Sequence, residues 1–234
     1  RRLERLRAAK VIRSEEVVID WRALGYSVEV SLRFTLDKTN PRAFDEFLAA
    51  ARDVAEVIGI EMPYRAEDAA IVPVTLRIRL SPGDNRRVLR ITLVIDQNPA
   101  PMAANFELGP DANVTESSTR LRVNNYTDVH AVAELSDGKL YMTKTYVKAS
   151  GGCSAPAAKN AVEAKNRLGQ MRYRQFARSG QGPASGTREA QIMIGHPSHS
   201  GLQMDQVTQL YIPAFFVNEL RLWQADSLVL AMEG

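Results

Sequence analysis

Asp128-Val129-His130-Ala131-Val132-Ala133-Glu134-Leu135 and Leu140-Tyr141-Met142-Thr143-Lys144-Thr145-Tyr146-Val147, with Ser136-Asp137-Gly138 between them, decide the class of the fold. Both runs are short and well supplied with β-branched and aromatic residues, and the connection carries an Asp-Gly pair suited to a hairpin tip. The same pattern runs upstream. Residues 71–80, 88–96, 103–108 and 118–123 read as strands. Turn-forming residues punctuate them at 81–85 (Ser-Pro-Gly-Asp-Asn), 98–101 (Asn-Pro-Ala-Pro) and 109–113 (Gly-Pro-Asp-Ala-Asn). Short strands at this spacing predict an antiparallel β-sandwich.

On the N-terminal side, residues 1–10 are charged and fit a frayed helical start, and 16–20 and 27–36 read as strands. In the second of these Val28, Val30, Leu32 and Phe34 alternate with polar residues, the period of a half-buried strand. Asn40 and Pro41 then form a helix start, followed by a stripe at helical spacing: Phe44, Phe47, Leu48, Ala51, Val54, Ala55 and Ile58, closed by Gly59. On the C-terminal side, 161–177 reads as a basic helix carrying Lys165, Arg167, Arg172 and Arg174, and 179–187 as a Gly/Ser/Pro linker. Residues 189–194, 214–223 and 227–232 read as strands. The stretch after the linker is about half of what a free-standing sandwich needs, so it is either cut short or completed by strands from elsewhere.

Composition sets the outer limits. The chain has 234 residues, 45% apolar and 24% charged, enough for a substantial core. No apolar run reaches the roughly 18 residues needed to cross a bilayer as a helix. The formal net charge of +3 is too small and too scattered to point to nucleic acid, and the basic segment has only Tyr173 and Phe176 as aromatics. The chain starts Arg1-Arg2-Leu3-Glu4 with no signal-peptide pattern, which is the expectation for a processed or trimmed start.

There is a single cysteine, Cys153, which excludes an intrachain disulfide. A lone cysteine is a buried small hydrophobe, a reactive thiol or half of an intermolecular bridge. The flanks, Ser150-Gly151-Gly152-Cys153-Ser154-Ala155-Pro156, favour an exposed thiol on a mobile arm. Two glycines free the backbone, the neighbours are small, and no apolar period surrounds the sulfur. Lys148 and Lys159 flank the arm and are placed to favour a thiolate or a bound anion. A cysteine-protease reading needs an oriented histidine from among His130, His196 and His199, and a mobile arm is a poor platform for it. No catalytic residue is therefore assigned.

Three segments together resemble a known pair of families. Pro63-Tyr64-Arg65-Ala66-Glu67-Asp68-Ala69-Ala70-Ile71-Val72-Pro73 resembles the start of the SoxY sandwich of sulfur-oxidation carrier proteins. Lys148-Ala149-Ser150-Gly151-Gly152-Cys153-Ser154 resembles the SoxY carrier arm. Ile194-Gly195-His196-Pro197-Ser198-His199-Ser200-Gly201, with Pro213-Ala214-Phe215-Phe216, resembles the opening of SoxZ. Their order in one chain is similar to that of the fused SoxYZ-like carriers associated with quinoprotein dehydrogenases. The resemblance implies a mainly β chain with two immunoglobulin-like antiparallel sandwiches joined by a linker, plus one or two helices. It divides the chain into an unmatched 1–60, a SoxY-like 61–160, a basic helix and linker 161–188, and a SoxZ-like 189–234. It implies a periplasmic protein that is not itself a catalyst and that holds intermediates of sulfur oxidation, thiosulfate chemistry included, on Cys153. The arm would be Ser150, Gly151, Gly152 and Ser154. The implied partners are periplasmic sulfur-oxidation enzymes, c-type cytochromes and a quinoprotein dehydrogenase system. No cofactor beyond the sulfur adduct is expected. The arm lies inside the chain and not at its tail, so it is tethered at both ends.

The alternative is an interaction module that docks a dehydrogenase or cytochrome and in which Cys153 is incidental. A disulfide dimer through Cys153 is open in an oxidising compartment. Lys148, His196 and His199 are candidates for contacts with the arm or a partner. A metal at His196 and His199 would need further ligands, and Asp205 is the only acid close in sequence, so no metal is assigned.

Overall fold

The computed structural model describes residues 48–49, 52–53, 57–156, 161–177 and 188–234. The strands expected at 16–20 and 27–36, the linker, and most of the helix expected at 41–58 lie outside the described residues.

Twelve strands and one short helix are named in chain order. They are β1 (Arg52–Asp53), β2 (Ile58–Glu61), β3 (Val72–Ile78), β4 (Val88–Ile95), β5 (Met102–Leu108), β6 (Glu116–Leu121), β7 (Thr127–Leu135) and β8 (Leu140–Val147). Then come α1 (Ala161–Asn166), β9 (Met171–Ala177), β10 (Arg188–Ile194), β11 (Glu219–Gln224) and β12 (Ser227–Glu233). A seven-stranded sheet runs in the order β1-β8-β7-β4-β5-β12-β11, and a three-stranded sheet in the order β2-β3-β6. Apart from β1 against β8, both sheets are antiparallel.

Alternation builds the sandwich. In β7, Val129, Ala131, Ala133 and Leu135 point to one face and are buried, and in β4 Ile91, Leu93 and Ile95 do the same. They meet Val72, Val74 and Leu76 of β3 and Ile58 of β2 in one apolar cluster. This is the inner layer of two stacked sheets, where the side-chain period of two puts every second residue between them. The β7–β8 hairpin closes at Gly138, whose φ of 74° is natural for glycine. There the Gly138 N–H donates to Leu135 O at 2.9 Å, and the Leu135 N–H to Lys139 O at 3.0 Å.

The sandwich strands read from the sequence between 71 and 147 are all present, with ends shifted by a few residues. Two segments differ. The basic helix expected over 161–177 stops at Asn166, and β9 is a strand. Gly169, at φ 74°, ends the helix, and its N–H donates to Gly195 O at 2.9 Å. Seven residues of β9 then pair in unbroken antiparallel register with β10, from Met171↔Ile194 to Ala177↔Arg188. Residues such as Met, Arg and Gln are good helix formers, but a long-range ladder outweighs tenths of a kcal/mol of propensity per residue. The second difference is in the helix expected over 41–58 and closed by Gly59: Arg52 and Asp53 form β1, and Ile58 and Gly59 lie in β2.

The C-terminal segment pairs with a strand from elsewhere in the chain. Its β11–β12 hairpin extends the large sheet by pairing β12 with β5, Leu230 opposite Leu108 and Met232 opposite Phe106. Gly109, just after β5, permits the approach: a Cβ there would sit 1.6 Å from Leu228 O.

Leu93 is fully buried in the central strand β4, which is flanked by β5 and β7. Leu93→Ala is expected to lower unfolding stability by about 2–5 kcal/mol in a urea titration. A loss below 1 kcal/mol would mean that the two sheets do not share this core.

Candidate functional site

Cys153 sits in a turn that begins at Gly151, four residues after the last residue of β8. The root of the arm is fixed first. Lys148 bridges Arg65 in parallel fashion: its N–H donates to Tyr64 O at 2.8 Å, and the Ala66 N–H donates to Lys148 O at 3.0 Å. The Gly151 N–H then donates to Asn124 O at 2.7 Å and the Gly152 N–H to Val123 O at 3.0 Å. A turn closes over the thiol, with the Ser154 and Ala155 N–H groups both donating to Gly151 O, at 3.2 and 3.0 Å.

The two glycines therefore dock the arm. Gly151 takes a φ of 75°. Gly152 is wedged so tightly that a Cβ would lie 2.0 Å from Ala69 O and 2.5 Å from Val123 O. Cys153 itself is only 7% exposed. This corrects the expectation of an open, swinging thiol. Its sequence neighbours are small, but the turn that carries it is contacted from elsewhere in the chain: by Ala69, by Arg122 and Val123 after β6, and by Ser200 and Gln203 of the loop before β11.

Arg122 is the central partner, and the sequence reading missed it. Its guanidinium donates through Nη1 to Gly152 O and to Ala155 O, the latter at 3.0 Å, and through Nη2 to Ser198 O at 3.2 Å. It also supplies the positive charge that faces the thiol. Burial pushes the Cys153 thiol above its ordinary value, and Arg122 pulls it only partly back. Arg122 is in turn drawn down by burial, against the opposing effects of Cys153 and Asp68. Desolvation outweighs the ion pairing, so the docked thiol is protonated at neutral pH and is a poor nucleophile.

The other residues expected at the site are placed as follows. Ser150 and Ser154 are exposed, and the Ser154 hydroxyl donates to Gly151 O at 3.1 Å. The Lys148 ammonium lies over the Tyr64 ring, 4.8 Å from its centroid, and Tyr64 holds its pKa up. It serves the root of the arm, and the cation felt by the thiol is Arg122. His196 and His199 are on the loop that approaches the arm. His196 packs on Phe215 with ring centroids 4.5 Å apart, and its Nδ1 accepts the Ser198 N–H at 3.0 Å. Burial, and then His199, push its pKa down. The His199 backbone pairs with Phe215 in both directions. Contact with the arm is made by the residues around them. The Ser200 hydroxyl donates to Cys153 O, and Gln203 Nε2 donates to Ala155 O at 3.0 Å. Asp205, weighed as a metal ligand, caps its own turn by accepting from the Val207 and Thr208 N–H groups. Beside Ser154 an open cleft of about 510 Å³ is lined by Leu202, Met204, Gln206, Gln209 and Tyr211.

Elsewhere, Asp96, Asp128 and His130 bring ligand-type atoms within 4.8 Å of one another on the outer face of the large sheet. Lys144 already pairs with Asp128 at 3.2 Å, and His130 Nε2 lies 3.1 Å from Asp96 Oδ2, so these atoms already have partners within the protein.

Sequence comparison places this site in a family. Residues 45–153 match the sulfur oxidation protein SoxY, and residues 178–234 match the sulphur oxidation protein SoxZ. The first match ends on Cys153. Together the two take in well over half of the chain, which belongs to the fused SoxYZ-like family, SoxY part first and SoxZ part second. It is a sulfur-oxidation related protein. No curated protein matches it. Among solved structures, a superoxide reductase (neelaredoxin) from Ignicoccus hospitalis matches at 14% identity and a TM-score of 0.35, over 39% of this chain and 79% of that one. A variant superoxide reductase (neelaredoxin) from Archaeoglobus fulgidus, in the reduced form, matches at 13% identity and a TM-score of 0.32, over 41% of this chain and 90% of that one. Likenesses this slight carry nothing about the site. No helix among the described residues is long and apolar enough to cross a membrane.

Two measurements check the docked arm. Gly152→Ala is expected to speed alkylation of Cys153 by iodoacetamide several-fold while far-UV circular dichroism stays unchanged. An unaltered rate would mean that the wedge at Ala69 and Val123 does not hold the arm. The second is a pH profile. A raised folded-state pKa stabilises the docked arm below the ordinary thiol value, and that contribution fades as pH climbs through the raised value. The alkylation midpoint of the native chain should therefore lie at higher pH than that of the same chain unfolded in urea. A midpoint at or below the unfolded one contradicts a desolvated thiol.

Proposed function

We propose that this chain is a covalent sulfur carrier that holds sulfur-oxidation intermediates on Cys153 Sγ and presents them to partner enzymes. The observation that carries the reading is the position of the chain's sole cysteine. It is the last residue of the SoxY match, on a Gly-Gly turn at the end of a sheet strand, with a guanidinium facing it. The chemistry asked of the chain is modest. In loading, Cys153 Sγ gives up its proton and forms an S–S bond to a thiosulfate-type anion, and the two electrons released pass to a c-type cytochrome acceptor. In unloading, a nucleophile of the partner enzyme takes the sulfur group and Sγ recovers a proton. Arg122 suits an anionic terminal group, since a half-buried guanidinium stabilises nearby negative charge more strongly than a solvated lysine does.

On this reading the catalysts are partners: periplasmic sulfur-oxidation enzymes, c-type cytochromes as electron acceptors, and a quinoprotein dehydrogenase system. The carrier itself works in the periplasm. The SoxZ part contributes a surface for them. Leu202, Met204, Val207, Leu210, Tyr211, Phe215 and Phe216 are all exposed there. That same surface supports a second reading, a docking module in which Cys153 is an incidental buried thiol.

Intact-mass spectrometry separates the two. Chain purified from a sulfur-oxidising background is expected to carry a sulfur-containing mass increment that reductant removes and that Cys153→Ala never acquires. An unmodified thiol under loading conditions, in a chain that still binds its partners, would leave only the docking module.

A further inference from the structure

The arm is held from two sides, and the second side comes from the SoxZ part. After β10 the chain forms a loop, 195–203, that folds over the turn of Cys153. Three polar side chains close it. Ser200 donates to the carbonyl of Cys153. Gln203, only 3% exposed, uses both ends of its amide: Oε1 accepts the Ser200 N–H at 2.9 Å, and Nε2 donates to Ala155 O at 3.0 Å. Arg122 binds arm and loop at once, through Gly152 O and Ala155 O on one and Ser198 O on the other.

The loop also stands outside the strand ladders. Two left-handed residues punctuate it, Ser198 at φ 51° and Gly201 at φ 86°, and a serine there is an uncommon conformation that its surroundings must hold in place. The loop is carried by the rest of the SoxZ part and its flanking turn: His199 and Phe215 exchange backbone bonds at 2.7 and 2.8 Å, the Gly195 N–H donates to Gln170 O at 2.8 Å, and Gln203 O accepts the Ile212 N–H at 2.8 Å. Its grip on the arm consists of hydrogen bonds to backbone carbonyls, each a modest net contribution that water or a partner's donor can replace.

From this geometry we infer that the 195–203 loop is a latch: closed, it occludes the carrier thiol, and loading or unloading requires it to lift from Cys153 and Ala155. The inference rests on the carrier reading for its purpose, but its physical content, an occluded thiol released by breaking loop contacts, stands apart from it. A closed latch protects a resting thiol from stray oxidation and cross-linking, which need access and thiolate character. It also makes the SoxZ part a gate for the cysteine of the SoxY part.

The test uses the full chain and iodoacetamide as a small neutral probe, with the alkylation rate of Cys153 read by intact mass. Ser200→Ala and Gln203→Ala each remove one loop-to-arm hydrogen bond and should speed alkylation by about three- to tenfold; the double variant should be faster than either. Deuterium exchange keeps the result interpretable. Uptake should rise across residues 149–156 and stay unchanged across β7, residues 127–135. Rates within twofold of the unaltered chain overturn the latch. So does a parallel rise in exchange across β7, which would make the loop a general support of the fold. The outcome is separable from that of the carrier reading. Faster alkylation in a chain that never acquires a sulfur adduct keeps the latch and removes the carrier; an adduct with unchanged rates does the reverse.

Discussion

A guanidinium drawn out of most of its water must find acceptors, and Arg122 finds three backbone carbonyls, those of Gly152, Ala155 and Ser198. The carbonyls belong to two stretches far from Arg122 in the chain, the cysteine turn and a loop of the SoxZ part. Each carbonyl lies outside the strand ladders, and Ala155 O is shared with a second donor, Gln203 Nε2. Arg122 thus converts three loose ends into one junction. It also sets the electrostatics of the thiol, since the sulfur is buried beside a cation that is itself partly desolvated. The outcome is a compromise in which burial wins: the thiol is kept neutral while docked, and the same cation becomes a stronger partner for any anionic group the sulfur acquires.

The sandwich was legible in the sequence because its signal is local. Val129, Ala131, Ala133 and Leu135 alternate with neighbours that face outward, and Asp137-Gly138 marks the turn, so β7 and β8 could be drawn without knowing their partners. β9 could not. Arg172, Arg174 and Gln175 read as a helix surface, and what makes them a strand is the ladder with β10, which no local pattern announces. The dividing line is whether the deciding interaction lies within the segment or across the chain.

Cys153 falls on the wrong side of that line. Its flanking glycines suggest freedom of the backbone, whereas in the fold they allow close docking. The wedge at Gly152 depends on Ala69 O and Val123 O, and the occlusion on Ser200 and Gln203, all distant in sequence. A glycine that permits motion and a glycine that permits close approach look the same in a sequence. Arg122 went unnoticed for a similar reason: it follows a strand in a polar-looking run and has no motif around it. The resemblance to SoxY and SoxZ directs attention to the cysteine; only the fold shows what surrounds it.

The pairing of β12 with β5 has a consequence for how the chain is made. Leu108 and Leu230 are partners across on the order of a hundred residues, the kind of distant closure that slows folding. The ribosome delivers β4, β5, β7 and β8 long before β12, so an emerging chain exposes β5 as a bare edge next to a formed sheet. Unpaired edges recruit other strands, including those of neighbouring nascent chains. Joining the two parts in one polypeptide supplies the correct strand at high effective concentration as soon as it emerges. Gene fusion here acts as a folding device, guarding an edge that two separate chains would have to find by collision.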